Sequence, residues 1–484
     1  MKNIASILSI LILFVSCSDD ITNLNKDTKN PTVVPAGSLF TNAEKNLVDQ
    51  LTSTNVNDNV FRLFVQNWTE TTYTDESNYD VATRTIPDTY WATLYRDVLM
   101  DLQESKKVLL TESYNGTAAE VAEKNLIRKN KLAQIEILSV YAYSVLVDTF
   151  GNIPYSQALN ISTYPNPKYD DGQVIYRDLL ARLTATIATM NTSYAGFKDA
   201  DLLYDGNVAK WKSFANSLQL KLAINMDDVD HTYATTMALA AVASGVLTTA
   251  DDNAALKYLP VQPNTNPIYV DVVASGRDDF VPTSTIIDKM NTLSDPRRSQ
   301  YFTTYLGAYV GGTPGDSNNY FVKSHIGSTI VTPTFEALLM DYAEVEFLLA
   351  EALARGIAVG GTISGHYTNA ITASLTYWKV PVGSINSYLA QPTVAYTTAA
   401  GTWKQKIGEQ AYLALYNRGL ETWTSYRRLD YPVLIAPADA QELTVPTRLT
   451  YPASEQTLNA NNNIAASGAI GGNKLTTKLF WDKF

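Results

Sequence analysis

One cysteine, Cys17, stands in a chain of 484 residues. That limits what can hold the fold together. No disulfide can form within the chain, and no zinc or iron–sulfur site can be built on several cysteines. Three scattered histidines, His231, His325 and His366, do not suggest a metal centre either. Stability has to come from a buried core, for which 45% hydrophobic residues suffice. Lys and Arg number 37 against 48 Asp and Glu, a formal charge of −11. An acidic chain of this kind is not expected to bind nucleic acid.

Cys17 closes a short apolar run. Lys2 supplies a positive start, and Ile4 to Val15 are largely apolar. The run is too short to cross a bilayer, which takes ~20 helical residues, and fits a secretory signal peptide. Phe14-Val15-Ser16-Cys17 resembles the lipobox of a bacterial lipoprotein, whose pattern prefers Leu where Phe14 stands. The resemblance implies cleavage before Cys17 and acylation of Cys17. Each buried CH₂ contributes ~0.8 kcal/mol, so more than one chain makes a stable anchor. Asp19 and Asp20 resemble the surface-export signal of Bacteroidetes lipoproteins. The expected layout is a signal peptide over 1–16, a lipidated tether over 17–35 and one folded domain over 36–484. No later segment is apolar for long enough to suggest a transmembrane helix.

Helical periodicity dominates the first half. Helices are expected over 39–52, 57–70, 88–110, 118–149, 171–192 and 207–229. Asp171 reads as a helix start, with Ile175, Leu179, Leu183 and Ile187 at helical spacing. Ala133 to Val147 is apolar almost all round, which suits a central buried helix, and Gly151 to Pro154 ends it. The stretch 245–332 is rich in Gly, Pro, Asn, Asp and Tyr, with a short strand expected at 301–306. Helix returns over 334–355, 364–378 and 403–430. The helix pairs suggest a tetratricopeptide-like solenoid, although no repeat signature is legible.

Several blocks resemble the SusD/RagB family. They begin with Trp91 and with Asp148-Thr149-Phe150-Gly151-Asn152-Ile153-Pro154-Tyr155. Pro167 to Asp170, Ile175-Tyr176, Trp211 with Ala215 to Leu218, and Asp295-Pro296-Arg297 follow in order. The longest is Tyr342 to Ala352. Glu421-Thr422-Trp423, Arg427-Arg428, Tyr431-Pro432, Val445 to Pro452, Glu455-Gln456 and Asn459 to Asn462 complete the set. The final blocks look most like the nutrient-binding SusD-like subgroup. The resemblance implies a mainly α fold with tetratricopeptide-like helix pairs and an irregular, loop-rich binding region. It also implies a surface lipoprotein of the outer membrane that closes over a SusC-like, TonB-dependent barrel.

Candidate ligand contacts mix rings with short polar groups. A ring face stacks on sugar C–H groups while amides and carboxylates pair with hydroxyls. Trp68, Tyr73, Asn78 and Tyr79 form one such cluster, and Asn266, Tyr269, Arg277, Tyr309 and Tyr320 lie in the loop-rich stretch. On this reading Trp68→Ala would weaken binding and leave stability nearly intact. Asp341, Glu344 and Glu351 share one side of a helix. They are read as a charged face paired with Arg355, Arg427 and Arg428, and Asp148 as a cap or turn residue. Asn55, Asn57 and Asn59 alternate but lack the Gly and closing Glu of a calcium loop, so a calcium ion is unsupported and no cofactor is expected.

No nucleophile elbow, zinc-protease motif or phosphate loop occurs. With the resemblance, the expected function is capture of an oligosaccharide, or a similar oligomeric nutrient, without bond cleavage. A peptide-binding lid of the same transporter type is the alternative. Less favoured are a surface glycoside hydrolase and a scaffold that touches no nutrient.

Overall fold

The computed structural model describes residues 34–483. Cys17, the lipobox and the tether up to residue 33 lie outside the described residues. The chain is mainly α-helical. Its longer helices are α1 (Ala36–Thr52), α2 (Met100–Thr111), α3 (Ala118–Phe150), α4 (Gly172–Thr189), α5 (Val208–Met226), α6 (His231–Ser244), α7 (Tyr342–Ala354), α8 (Ile363–Tyr377), α9 (Trp403–Ala414) and α10 (Gly419–Leu429). Consecutive helices pack in pairs: α3 on α4, α5 on α6, α7 on α8 and α9 on α10. Among the described residues, no helix is long and apolar enough to cross a membrane.

Local chemistry explains where the helices start and stop. Thr117 and Glu120 form a reciprocal capping box at the head of α3, worth about 1 kcal/mol. Gly151 ends it at φ 87°, where a side chain would be strained. Every residue from Val140 to Phe150 is buried, as an all-round apolar run requires. The Asp171 carboxylate caps α4, accepting from the amides of Gln173 and Val174.

Three antiparallel two-stranded sheets join distant segments. They pair β1 (Trp68–Glu70) with β5 (Phe280–Pro282), β2 (Ile153–Pro154) with β3 (Tyr169–Asp170), and β4 (Ala254–Leu256) with β6 (Ala337–Met340). One large hydrophobic cluster reaches from Ala36 to Trp481, and a smaller one lies between α7, α8 and α9.

The structure corrects several expectations. The helix expected over 57–70 is only Phe61–Phe64, because Gln66 turns left-handed at φ 53° and the chain then pairs with β5. The helix expected over 403–430 breaks into α9 and α10 at Asn417, which sits at φ 72° and accepts from the Arg62 guanidinium. The stretch 334–355 opens as strand β6 before Asp341 caps α7. The strand expected at 301–306 is a short helix, Arg298–Tyr301, followed by two isolated bridges, Phe302 to Ile326 and Tyr305 to Ala308. Helix α6, capped by Asp230, was not among the expected set.

Asp148 is not a cap. Its buried carboxylate accepts from the Tyr176 hydroxyl and, at 2.9 Å, from the Trp481 indole. Arg427 is not a partner of the α7 carboxylates either. It donates to the carbonyls of Asp148 (2.6 Å) and Thr447 (2.8 Å) and lies over the Trp423 ring. Arg448 donates to the Phe150 carbonyl at 2.9 Å. The blocks around 148, 176, 427 and 448 thus meet in one buried knot.

Candidate ligand-binding site

The β1–β5 pair builds a platform for loops from four parts of the chain. Thr71 extends it, its amide donating to the Asp279 carbonyl (2.9 Å) and its hydroxyl to the Asp278 carbonyl (2.6 Å). The loop after α1 is tied in by Thr54, whose hydroxyl donates to the Asp271 carboxylate at 3.0 Å. The loop over 313–322 docks through Asn318 and Ser317, both of which donate to the Thr71 carbonyl.

Between these loops lies a cleft of 270 Å³. Asn55, Asn57, Asp271, Arg277 and Asp279 line it, together with Glu70, Arg84 and Phe280. Tyr73 stands at the edge, held at φ 56° and 70% exposed. A non-glycine residue in the left-handed region is uncommon, and such positions gather at ligand sites. Arg277 is exposed, bonds Asp279, and has Tyr73 within electrostatic reach. Tyr320 lies outside the cleft lining, on the loop that docks against Thr71. Its ring stacks on His325 at 3.8 Å, and burial together with Asp278 raises its phenol.

The floor holds an unusual pair of carboxyls. Glu70 is pushed up to about 9, by burial first and then by the adjacent Glu76. Glu76 is fully buried and paired with Arg84 through one oxygen, and its other oxygen meets no conventional donor. A proton on Glu70 supplies that donor, while Ser77 donates its amide to Glu70 at 2.9 Å. The sign follows from linkage. A raised carboxyl holds its proton in the fold and loses it when unfolded, so it stabilises fully below about pH 4.5. That contribution fades as pH climbs through about 9. Glu70→Gln keeps the donor and removes the titration. Its Tm is expected to gain on the wild type steadily between pH 5 and 9. Parallel Tm curves across that range would contradict the shared proton.

The structure brings Tyr73 and Arg277 together in the cleft, while Tyr269, Tyr309 and Tyr320 do not line it. Tyr269 is half-buried in a short helix, and Tyr309 packs against the Arg298 guanidinium. Four other expected contacts are buried and serve the fold. Trp68 is 1% exposed, and its indole donates to the Tyr416 hydroxyl at 2.7 Å. Tyr79 is fully buried against Phe64. Asn78 ties two loops by donating to the carbonyls of Thr74 and Gly315. Asn266 caps the Pro267–Tyr269 turn and donates to the Phe335 carbonyl. None of these four can face a ligand without unpacking.

Sequence reading missed Glu70, Arg84, Asp271 and Asp279 in the cleft. Asn55 and Asn57 drew attention only as a calcium pattern. Among the described residues, no three His, Cys, Asp or Glu side chains are placed to hold a metal ion.

Known structures share this fold. A chitin-binding protein is 26% identical, with a TM-score of 0.79 over 93% of this chain and 100% of its own. A SusD homologue from Bacteroides uniformis is 26% identical, with a TM-score of 0.76 over 92% of this chain and 99% of its own. A chitin-binding SusD homologue from Flavobacterium johnsoniae is 24% identical, with a TM-score of 0.74 over 92% of this chain and 97% of its own, a likeness of fold alone. No protein of curated function matches the chain. The profile of a SusD-like family, described as starch-binding and associating with the outer membrane, matches residues 28–452, and the chain belongs to that family.

Proposed function

We propose that this protein is a cell-surface lipoprotein that captures an oligosaccharide in the Tyr73 cleft and breaks no bond in it. The single observation that carries the reading is the exposed Tyr73 ring lining one cleft with amides, carboxyls and a guanidinium. A ring face and directional polar groups together suit a sugar, which has both apolar and hydroxyl-bearing faces. Two structures of the same fold are described as chitin-binding, so oligomers of β-1,4-linked N-acetylglucosamine are the first ligands to test. Calorimetric titration with these oligomers is expected to show saturable binding, and the recovered sugar is expected to be uncut. Shortened products would favour a hydrolase, and binding only to a peptide set would favour the peptide-binding reading.

The domain over 36–484 is proposed to act as one lid on a SusC-like, TonB-dependent barrel, which takes up the captured sugar. Exposed apolar side chains near the cleft support a docking role. Phe321 is 74% exposed and Leu443 92%. The loop that carries Leu443 is fastened to the cleft loops, with Gln441 donating to the Asn78 carbonyl. Covering them would remove apolar surface from water, which favours docking. Cys17 is proposed as the lipid anchor. Cys17→Ala is expected to move the protein from the membrane fraction to the soluble fraction, and retention in the membrane would remove the anchor from the account.

A further inference from the structure

A second hollow shares no lining residue with the Tyr73 cleft. It has a volume of 850 Å³ and lies between the end of β4, the stretch 328–336 and the C-terminal end of α8. That volume falls within the ~300–1,000 Å³ of small-ligand sites. A neighbouring hollow of 640 Å³ continues it, and Lys257, Glu336 and Tyr377 line both. The two form one elongated groove rather than a closed pocket.

Its lining is of mixed character. The half-buried Tyr377 ring meets Trp378 edge-on at 5.4 Å, and Trp378 stacks on Phe335 at 5.9 Å. Tyr377 and Phe335 offer ring surface to the groove, and Trp378, 6% exposed, holds them from behind. The Tyr377 hydroxyl sits against the Glu336 carboxylate, which fixes the ring's orientation. The exposed hydroxyls of Ser328, Thr329 and Thr334 stand around these rings. Charges of both signs are interspersed. Lys257, Lys379 and Glu336 line the larger hollow, and Lys210, Asp201, Asp205 and Asp251 line the smaller. Neither an anion nor a cation is favoured along such a lining. An uncharged chain rich in hydroxyl groups is.

We propose that this groove is a second glycan-binding site, which takes an uncharged oligosaccharide along the half-buried Tyr377 and Phe335 rings, with Trp378 packed behind them. The proposal rests on the reading that the protein binds glycan. A second site would hold a long polymer at two points on one chain. The gain would be in effective concentration, without any new contact in the Tyr73 cleft.

The test is calorimetric titration with chitohexaose of the wild type, Tyr73→Ala, the pair Ser328→Arg with Thr334→Arg, and all three substitutions together. Ser328 and Thr334 are exposed, so their replacement is expected to leave Tm unchanged. Two sites are expected on the wild type and one on either partial variant. With all three substitutions combined, no site of wild-type affinity is expected to remain, binding being weaker by about tenfold or more. Tyr377→Ala is expected to reproduce the arginine pair if it folds. One wild-type site, abolished by Tyr73→Ala and indifferent to the arginine pair, would overturn the second site and leave the first standing. No binding of any glycan by the wild type would overturn both.

Discussion

Lys221→Met is expected to destabilise the protein by about 3–5 kcal/mol, the cost of leaving buried carboxylates without their partner. Lys221 lies on α5 and is 6% exposed. Its ammonium bonds Glu421 of α10 and lies 3.1 Å from Glu344 of α7. Arg418 is the second cation here, reaching Glu344 at 2.6 Å and Asp341 at 3.1 Å. Three carboxylates thus share two cations. Burial alone would raise Glu344, but Lys221 and Arg418 overcome it and hold this carboxyl at about 2. Without Lys221, a single guanidinium faces all three. Lys221→Met combined with Glu421→Gln removes one charge of each sign and is expected to regain a large part of the loss. Denaturant unfolding of the two variants decides the matter. If the double variant is no more stable than Lys221→Met, the network does not work through charge balance.

Trp68→Ala is expected to cost about 3–5 kcal/mol, as the loss of a fully buried large ring does. The ring packs against Phe280 with centroids 6.0 Å apart, carries the Arg62 guanidinium at 5.1 Å and donates to Tyr416. Burial already lowers Arg62 to about 10, so a void beside it leaves a poorly solvated charge. Trp68→Phe keeps much of the packing and loses the indole bond, at about 1–2 kcal/mol. Trp68 does not line the cleft, so the folded fraction of Trp68→Ala is expected to bind glycan normally. An unchanged Tm with lost binding would return Trp68 to the ligand surface.

The long helices were legible because their signals are local. Asp171 and the all-apolar turns before Phe150 each act within a few residues. Pairing of the α7 glutamates with arginines was legible in kind, and Glu351 does bond Arg355 and Arg428. The cleft was not legible, because its contacts join residues about 200 positions apart. Nothing in the local sequence around Thr54 names Asp271, and nothing around Thr71 names Asp278. The aromatic signal misled at Trp68 and Tyr79 for a related reason. A ring with a polar end suits a buried hydrogen bond as well as a sugar, and only the fold distinguishes the two.

The central claim is that Tyr73 is the platform of a glycan-binding cleft. Titration of Tyr73→Ala with chitin oligomers, beside the wild type, tests it most directly. Tyr73 is exposed, so Tm is expected to stay within about a degree, as surface substitutions usually allow. Affinity in the cleft is expected to fall about tenfold or more, equivalent to ~1.4 kcal/mol of lost stacking. Unchanged affinity at an unchanged Tm would contradict the account.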